Sequence, residues 1–360
     1  MNSIEITQPD DWHLHVRDGR LLDAVIADSA NFYKRALIMP NLNPPVRTVL
    51  DALNYRKRIL LSLEKIGLPL KKSNKHFGSP LYSFEPYMSI YLTESLHKEE
   101  IKKISRTNEI LAVKFYPTGA TTNSEFGLKN LSGSYDIFEL MSELGIVLCI
   151  HGEVVDPDVD VFDREAVFID RILTQLLKRF PKLKIVFEHI STAAAVQFVL
   201  SQKNNVAATI TPQHLIFNRN DLLAGSIKPH RYCAPILKEE SDRLSLVQAA
   251  TSGDSRFFLG TDSAPHLVSE KESDCGCAGC YSAPHSLYIY TEVFDSEGKL
   301  ENLEGFASIN GPSFYKLSPN KNKIRLVRKK WIPSDDADII TIEGEKIVSV
   351  AKNRELNWSC

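Results

Sequence analysis

Residues 184–211, KIVFEHISTAAAVQFVLSQKNNVAATIT, decide the fold. The stretch begins with an apolar run at 184–190, continues through a segment with helical spacing at 193–201, and ends in a second apolar run at 206–211. Each run is apolar almost throughout, which is typical of a parallel strand buried on both faces. The stretch therefore predicts a strand–helix–strand unit with two parallel strands.

The same alternation recurs along most of the chain. Six further apolar runs are found at 4–15, 35–41, 87–93, 111–117, 146–151 and 256–262. Amphipathic segments lie between runs, at 49–65, 133–144 and 163–179 among others. Eight strands alternating with helices over about 260 residues predict an α/β fold, a closed (β/α)₈ TIM barrel. A doubly wound open sheet would show the same alternation and is the alternative.

Composition excludes several classes of function. The chain has 360 residues, with 43 Lys and Arg against 45 Asp and Glu, so the near-neutral net charge of −2 predicts no nucleic-acid partner. No apolar stretch approaches the roughly 18 residues of a membrane span, and the first residues lack the pattern of a secretion signal. Six cysteines in this length do not suggest a disulfide framework. We expect a cytoplasmic globular protein that binds no membrane.

The chain is expected to divide near residue 320. Residues 1–320 would form the barrel, and residues 321–360 a short C-terminal extension packing on it. Within the extension, 338–350 (DIITIEGEKIVSV) alternates in polarity and predicts a hairpin that turns at Gly344. The segment 71–83 (KKSNKHFGSPLYS) is basic and rich in turn residues, so we expect a surface insertion, to which the sequence assigns no function.

Ionisable side chains stand at the C-terminal ends of five predicted strands. They are His13 and His15, Lys114, His151, His189 and Asp262. A single histidine after a strand is more often structural than a ligand, but six such groups at matching ends are a different case. The carboxyl ends of barrel strands converge on one mouth, so we expect these side chains to meet there. The His-x-His spacing places both imidazoles on one side of a strand, as needed to hold one ion.

The residue types predict a pair of zinc ions. Imidazole and carboxylate ligands without clustered thiolates favour Zn²⁺, and one catalytic zinc needs only three protein ligands plus water. Five such ligands suit two ions about 3.5–4 Å apart, provided that a group bridges them. Lys114 is the candidate, either as a neutral amine or as a CO₂-derived carbamate (N6-carboxylysine). Two Zn²⁺ ions carry four positive charges, while Asp262, a carbamate and a bridging hydroxide carry three negative ones. Charge balance therefore favours the carbamate, since one positive charge remains for an anionic substrate.

Six motifs, in order along the chain, resemble those of the dihydroorotases of the amidohydrolase superfamily, in their bacterial single-function homodimeric type. The motifs are HLHVRDG at 13–19, MPN at 39–41, KFYP at 114–117, HGE at 151–153, FEH at 187–189 and GTDSAPH at 260–266. The resemblance runs from about Ile6 to at least Tyr315. It includes the unusual Lys-Glu pair and CGCAGC sequence within 271–280.

The resemblance implies a metal-dependent cyclisation. Its substrate would be N-carbamoyl-L-aspartate, closed reversibly to L-dihydroorotate with loss of water in the de novo synthesis of pyrimidines (UMP). A bridging hydroxide would be the nucleophile in ring opening, and Asp262 would shuttle the proton. The family pattern implies two zinc ions per subunit of a homodimer, bridged by carboxylated Lys114, with His13, His15 and Asp262 on one ion and His151 and His189 on the other.

The resemblance also implies the substrate contacts. Arg17, Asn41 and His266 would bind the substrate carboxylate, Ala234 and Ala278 the ring through backbone groups, and Thr121 and Thr122 would belong to a loop that closes over it. The family pattern has a larger apolar residue at 234, so the backbone contact carries over while the side-chain packing departs from the pattern.

Two alternative functions and several other candidate residues remain. Another amidohydrolase, such as a hydantoinase or allantoinase, would share the metal ligands but not a site for a carboxylated ring. A catalytically silent barrel serving as a partner subunit should lack ligands. Three thiols at 275, 277 and 280 lack a fourth ligand nearby and predict a substrate loop rather than a zinc site. We expect structural or supporting roles for His214 and His230, and surface positions for His76, His97 and His285.

Overall fold

The computed structural model describes residues 2–70, 84–333, 339–342 and 344–360. The strands are β1 (Ser3–Thr7), β2 (Asp10–Leu14), β3 (Arg35–Ile38), β4 (Glu85–Tyr91), β5 (Ile110–Phe115), β6 (Val147–Ile150), β7 (Lys184–Phe187), β8 (Val206–Ile210), β9 (Phe257–Leu259), β10 (Lys323–Trp331), β11 (Ile339–Ile342), β12 (Glu345–Val348) and β13 (Leu356–Ser359). Strands β2 to β9 form one parallel sheet in chain order.

This sheet closes on itself between β9 and β2. Leu14 and Ser263 form a parallel bridge, and the His15 amide donates to the Ser263 carbonyl at 3.1 Å. One residue earlier on each side, the Asp262 amide donates to the His13 carbonyl at 2.9 Å. The predicted (β/α)₈ barrel is therefore confirmed, and the open-sheet alternative is wrong.

The helices lie in the connections between successive barrel strands, except for the last three, which follow β9. They are α1 (Gly19–Ala30), α2 (Val49–Leu70), α3 (Lys98–Ile104), α4 (Tyr135–Leu144), α5 (Arg164–Phe168), α6 (Thr174–Arg179), α7 (Ala193–Ser201), α8 (Pro212–Ile216), α9 (Arg219–Leu223), α10 (Glu240–Thr251), α11 (Val268–Lys271), α12 (Ser286–Ser296) and α13 (Asn310–Phe314). Helix α7 has the predicted bounds, because the Thr192 side chain accepts from the Ala195 amide and caps its first turn. None of the described helices is long and apolar enough to cross a membrane.

The inside of the barrel is a packed core. Trp12 stacks on Tyr315 with ring centroids 4.5 Å apart. Gly311 lies so close to this pair that an added Cβ would meet the indole nitrogen of Trp12 at 1.9 Å. Small and apolar strand residues fill the remaining space, among them Leu37, Ala112, Cys149, Val186, Ala207 and Phe258. Because the interior is filled, the space for a ligand is left at the mouth.

Both ends of the chain meet in a second sheet. Strand β1 pairs antiparallel with β10, which pairs with β13. The run 4–15, predicted as one strand, is therefore two, and residues 3–7 share a sheet with the extension predicted at 321–360. The hairpin is present as β11 and β12, joined through Gly344, although residues 338 and 343 lie outside the described residues. The predicted insertion at 71–83 also lies outside them.

Replacement of Asp11 should loosen the β2–β9 junction. Its carboxylate is fully buried and accepts from the His13 amide at 3.1 Å, the Thr261 amide at 2.9 Å and the Thr261 hydroxyl at 2.6 Å. Asp11→Ala leaves these buried donors without their acceptor, so we expect the free energy of unfolding in urea to fall by about 2–4 kcal/mol. Asp170→Ala, at an exposed position, is the control, and equal losses in the two variants would contradict the assignment.

Candidate metal centre

Three ligand atoms converge where β2 and β9 meet. The Nε2 atoms of His13 and His15 are 3.3 Å apart, and Asp262 Oδ1 lies 3.4 Å from the first and 3.1 Å from the second. A tetrahedral site with bonds of about 2.0 Å has ligand atoms about 3.3 Å apart, so these atoms match a zinc-sized ion. No other group of three such ligands converges in the part of the chain that the structure describes.

Two further histidines adjoin this group. The His189 ring centroid lies 5.0 Å from that of His13 and 4.8 Å from that of His151. His189 thus stands between the first three ligands and His151, all of them buried. Burial lowers the pKa of His13 and of His189, and the charge of Lys114 adds to the effect. The neutral imidazole that results is the form that binds a metal ion.

Lys114 lies beneath these histidines in the barrel. It is completely buried, and among the described residues its Nζ has no hydrogen-bond partner. The centroid of the Tyr116 ring is 5.1 Å from Nζ. Burial lowers the pKa of Lys114, against the charges of Glu188 and Asp262. A buried amine without a partner fits the predicted carbamate, which would turn an uncompensated nitrogen into part of a ligand.

Two carboxylates orient the histidines from behind. Glu188 accepts from His13 Nδ1 at 2.8 Å and from the Thr209 hydroxyl at 2.6 Å, which leaves His13 Nε2 free for an ion. Glu153 lies 2.7 Å from His151 Nε2 in the same way. Such partners fix the tautomer and ring orientation of a ligand. Sequence reasoning missed both roles. Glu153 stands two residues after its partner His151, and that spacing was an available signal, whereas the partner of Glu188 lies 175 positions away in the chain.

Three residues around the site have a left-handed backbone. The φ angles are 56° at Arg17, 41° at His189 and 46° at Asp262. None is a glycine, so each conformation costs roughly 1–3 kcal/mol, and the surrounding fold must hold it. At Asp262 the hydrogen bond from its backbone amide to the His13 carbonyl supplies part of that support. All three strained residues line the cavity described below.

A small cavity opens over these ligands. It is lined by His13, His15, Arg17, Asn41, Tyr116, Thr121, Thr122, His151, His189, Ala234, Asp262, Ala264, Ala278 and Gly279. Of the predicted site residues, only Lys114, below the floor, and His266, behind Arg17, are not part of the lining. The structure thus brings together residues predicted from eight separate parts of the sequence.

The wall of the cavity carries a cationic group. Arg17 Nη2 donates to His266 Nε2 at 2.8 Å, and Arg17 Nε donates to the Pro265 carbonyl at 3.1 Å. Burial lowers the pKa of His266 to about 4, so this imidazole is a neutral partner of the guanidinium. Asn41 Nδ2 donates to the Thr122 carbonyl at 3.0 Å and ties the loop of Thr121 and Thr122 to this wall.

The other candidate histidines of the described residues are not part of the cavity lining. The predicted surface position of His285 is wrong, because its side chain is buried with Nδ1 3.1 Å from the Ser349 hydroxyl. His97 is exposed as predicted, and His76 lies outside the described residues. His214 is buried 3.0 Å from the Pro235 carbonyl.

Comparisons with known proteins give the same assignment along the whole chain. Residues 10–355 match the model of the Amidohydrolase family. The chain is 51% identical over 358 residues to a dihydroorotase of Azoarcus sp. (strain BH72), covering 99% of each. The crystal structure of dihydroorotase from Campylobacter jejuni superposes with a TM-score of 0.85 at 32% identity, covering 99% of this chain and 97% of that one.

A second solved structure agrees. Dihydroorotase from Saccharomyces cerevisiae, in complex with 5-fluoroorotic acid, gives a TM-score of 0.83 at 32% identity, covering 100% of this chain and 98% of that one. The chain therefore belongs to the amidohydrolase family and, within it, to the dihydroorotases.

Proposed function

We propose that this protein is a zinc-dependent dihydroorotase that interconverts N-carbamoyl-L-aspartate and L-dihydroorotate in pyrimidine synthesis. The observation that carries the proposal is one cavity with two kinds of wall. Its floor holds the His13, His15 and Asp262 cluster, and its side holds the guanidinium of Arg17. A cyclic amide bearing a carboxylate needs both features, one to open the ring and one to bind the anion.

The metal ligands would be shared between two ions. His13, His15 and Asp262 would hold one, His151 and His189 the other, and Lys114 would contribute as N6-carboxylysine. The unpartnered Nζ of Lys114 and the neutral histidines support this division. When bound, two zinc ions would lower the pKa of water and polarise the reacting carbonyl.

Asp262 would move the proton. Burial raises the pKa of its carboxyl, while the charges of His13 and Lys114 oppose the shift. It lines the cavity and can therefore reach both the attacking water and the ring nitrogen. In ring opening it would pass a proton from the water to the leaving nitrogen, and in ring closure it would accept the proton of the ureido N–H.

The polar side wall would bind the substrate carboxylate. Arg17 offers a charged donor, Asn41 an amide donor, and His266 supports Arg17 from behind. Charge-assisted hydrogen bonds of this kind are stronger than neutral ones and fix orientation. Ala234 and Ala278 would meet the ring through backbone groups, while the loop of Thr121 and Thr122 would cover the bound substrate and exclude water.

The two alternatives have less support. Hydantoin and allantoin carry no ring carboxylate to match Arg17, which would leave its guanidinium without an anionic partner in the cavity. A silent partner subunit should lack ligands, but five of the six predicted ligands line the cavity, all except Lys114. That the protein is cytoplasmic and that it forms a homodimer both stay predictions.

The direct test is an assay of purified protein whose zinc content is measured in parallel. We expect about two zinc ions per chain, hydrolysis of L-dihydroorotate, and no turnover of hydantoin or allantoin. Removal of zinc with a chelator should abolish activity, and zinc should restore it. Turnover of hydantoin but not of dihydroorotate would reject the proposed substrate.

Lys114→Ala should disrupt the metal pair, because it deletes the bridging group. We expect loss of bound zinc and a fall in kcat of about 100-fold or more, with partial recovery in small carboxylic acids that can occupy the vacated space. Zinc content measured by mass spectrometry alongside kcat provides the check. Lys129→Ala, on an exposed loop, is the control. A Lys114→Ala variant with full zinc and full turnover would disprove the bridging role.

Arg17→Met should act through the substrate carboxylate. We expect kcat/KM for L-dihydroorotate to fall about 100-fold, since an anion in the cavity loses its charged partner. The methyl ester of dihydroorotate should be affected much less, because it carries no such charge. Arg47→Met, at an exposed position, should leave both values unchanged. Equal losses for acid and ester would show that Arg17 does not bind the carboxylate.

A further inference from the structure

A buried lysine stands behind the wall of the cavity. Lys271 is the last residue of α11, and its side chain is 4% exposed. Its Nζ donates to the carbonyl oxygens of Tyr232 at 2.9 Å, Cys277 at 2.7 Å and Gly279 at 2.8 Å. A protonated lysine has three N–H donors, so each of them has a partner. All three partners are uncharged backbone carbonyls. The ammonium of Lys271 therefore stabilises the conformation of the chain segments that carry them.

These carbonyls belong to two separate segments. Tyr232 begins the segment 232–235, which contains Ala234, while the segment 277–279 contains Ala278. The Gly279 amide also donates to the Tyr232 carbonyl at 3.0 Å, so the segments are joined directly as well as through Lys271. Ala234, Ala278 and Gly279 line the cavity. Lys271 therefore connects two parts of the wall that would face a substrate ring.

The segment 277–279 is also fixed on its other side. The Ala278 carbonyl accepts from the Thr122 hydroxyl at 3.3 Å. At Gly279, φ is 148°, and an added Cβ would come within 2.9 Å of both Ala264 and His266. A shift of this segment would therefore disturb both the carboxylate wall and the covering loop.

The hydrogen bonds of Lys271 set the direction of peptide groups. In a trans peptide the C=O and the following N–H point in opposite directions. The Cys277 carbonyl points to the ammonium, so the N–H of Ala278 points away from Lys271. Ala278 itself lines the cavity. Without the ammonium, this peptide could rotate and turn its carbonyl towards the substrate.

We propose that Lys271 is a positioning residue for the substrate ring. Its ammonium sets the spacing of the segments 232–235 and 277–279, so that the backbone groups of Ala234 and Ala278 are ready to bind. The inference rests on the proposed function and deepens it, since it concerns recognition of the same ring. Lys271 touches neither the metal ligands nor the reacting atoms, so its effect should appear in substrate binding rather than in chemistry.

Lys271→Met tests the inference, because methionine has a similar length and no donors. In the zinc-loaded protein we expect KM for L-dihydroorotate to rise about tenfold or more, with kcat changed less than about threefold and zinc content unchanged. The matched control is Lys184→Met. Lys184 is half-buried and also donates to a backbone carbonyl, that of Phe314, but at the opposite end of the barrel. Loss of the Lys184 hydrogen bond should lower the free energy of unfolding and leave KM for L-dihydroorotate unchanged.

The outcomes separate the possible failures. An unchanged KM in Lys271→Met, with a loss of unfolding free energy like that of Lys184→Met, would reduce Lys271 to a structural residue and overturn the inference. Should Lys271→Met not fold, Lys271→Gln keeps two N–H donors and should raise KM to a smaller degree; a wild-type KM there would also overturn it. Absence of dihydroorotate hydrolysis in the unsubstituted protein would instead reject the proposed function, and the inference with it.

Discussion

Closure of the barrel between β2 and β9 is the constraint on which the site depends. Two backbone hydrogen bonds, from Asp262 to His13 and from His15 to Ser263, fix the register at which the first and last strands meet. Asp11 reinforces that register by binding Thr261, which is 250 positions away in the chain. A change of register at this junction would move Asp262 away from the histidines, and the three-ligand cluster would be lost.

Burial then gives these side chains their chemical character. In a water-poor interior the neutral forms of histidine and lysine are favoured, and the pKa values of His15 and Lys114 are lowered mainly for this reason. Neutral imidazoles can bind a metal ion without first losing a proton. Burial acts to raise the pKa of Glu188 and of Glu153, but their neighbours together lower it further than burial raises it, mainly His13 and Lys114 at Glu188 and His151 and Lys238 at Glu153. Both therefore remain as oriented carboxylates.

The barrel strands and the connecting segments contribute different residues to the site. The histidines proposed as metal ligands and Lys114 stand on or directly after barrel strands, whose positions are fixed by hydrogen bonds on both sides. The residues that face the substrate space come mostly from connecting segments, which can differ between relatives without disturbing the barrel. Such segments need their own supports, and buried polar side chains such as Lys271 and His214 provide them by binding backbone carbonyls. The part of the site on the barrel strands is therefore fixed by the sheet, while each connecting segment around it is fixed by its own hydrogen bonds.

The sequence by itself determined the eight strands of the sheet, because each appears as a local apolar run, and the candidate metal ligands, because polar groups end those runs at matching places, but it left a closed barrel and an open sheet as alternatives. It also determined helix α7, whose cap lies next to it in the chain. Only the tertiary structure decided features that depend on distant partners. Strand β1 separates from β2 because Ile6 pairs with Ile324, and His285 is buried because it meets Ser349. The orienting role of Glu188 and the bridging role of Lys271 follow from hydrogen bonds that no local pattern contains, since their partners come together only when the barrel closes.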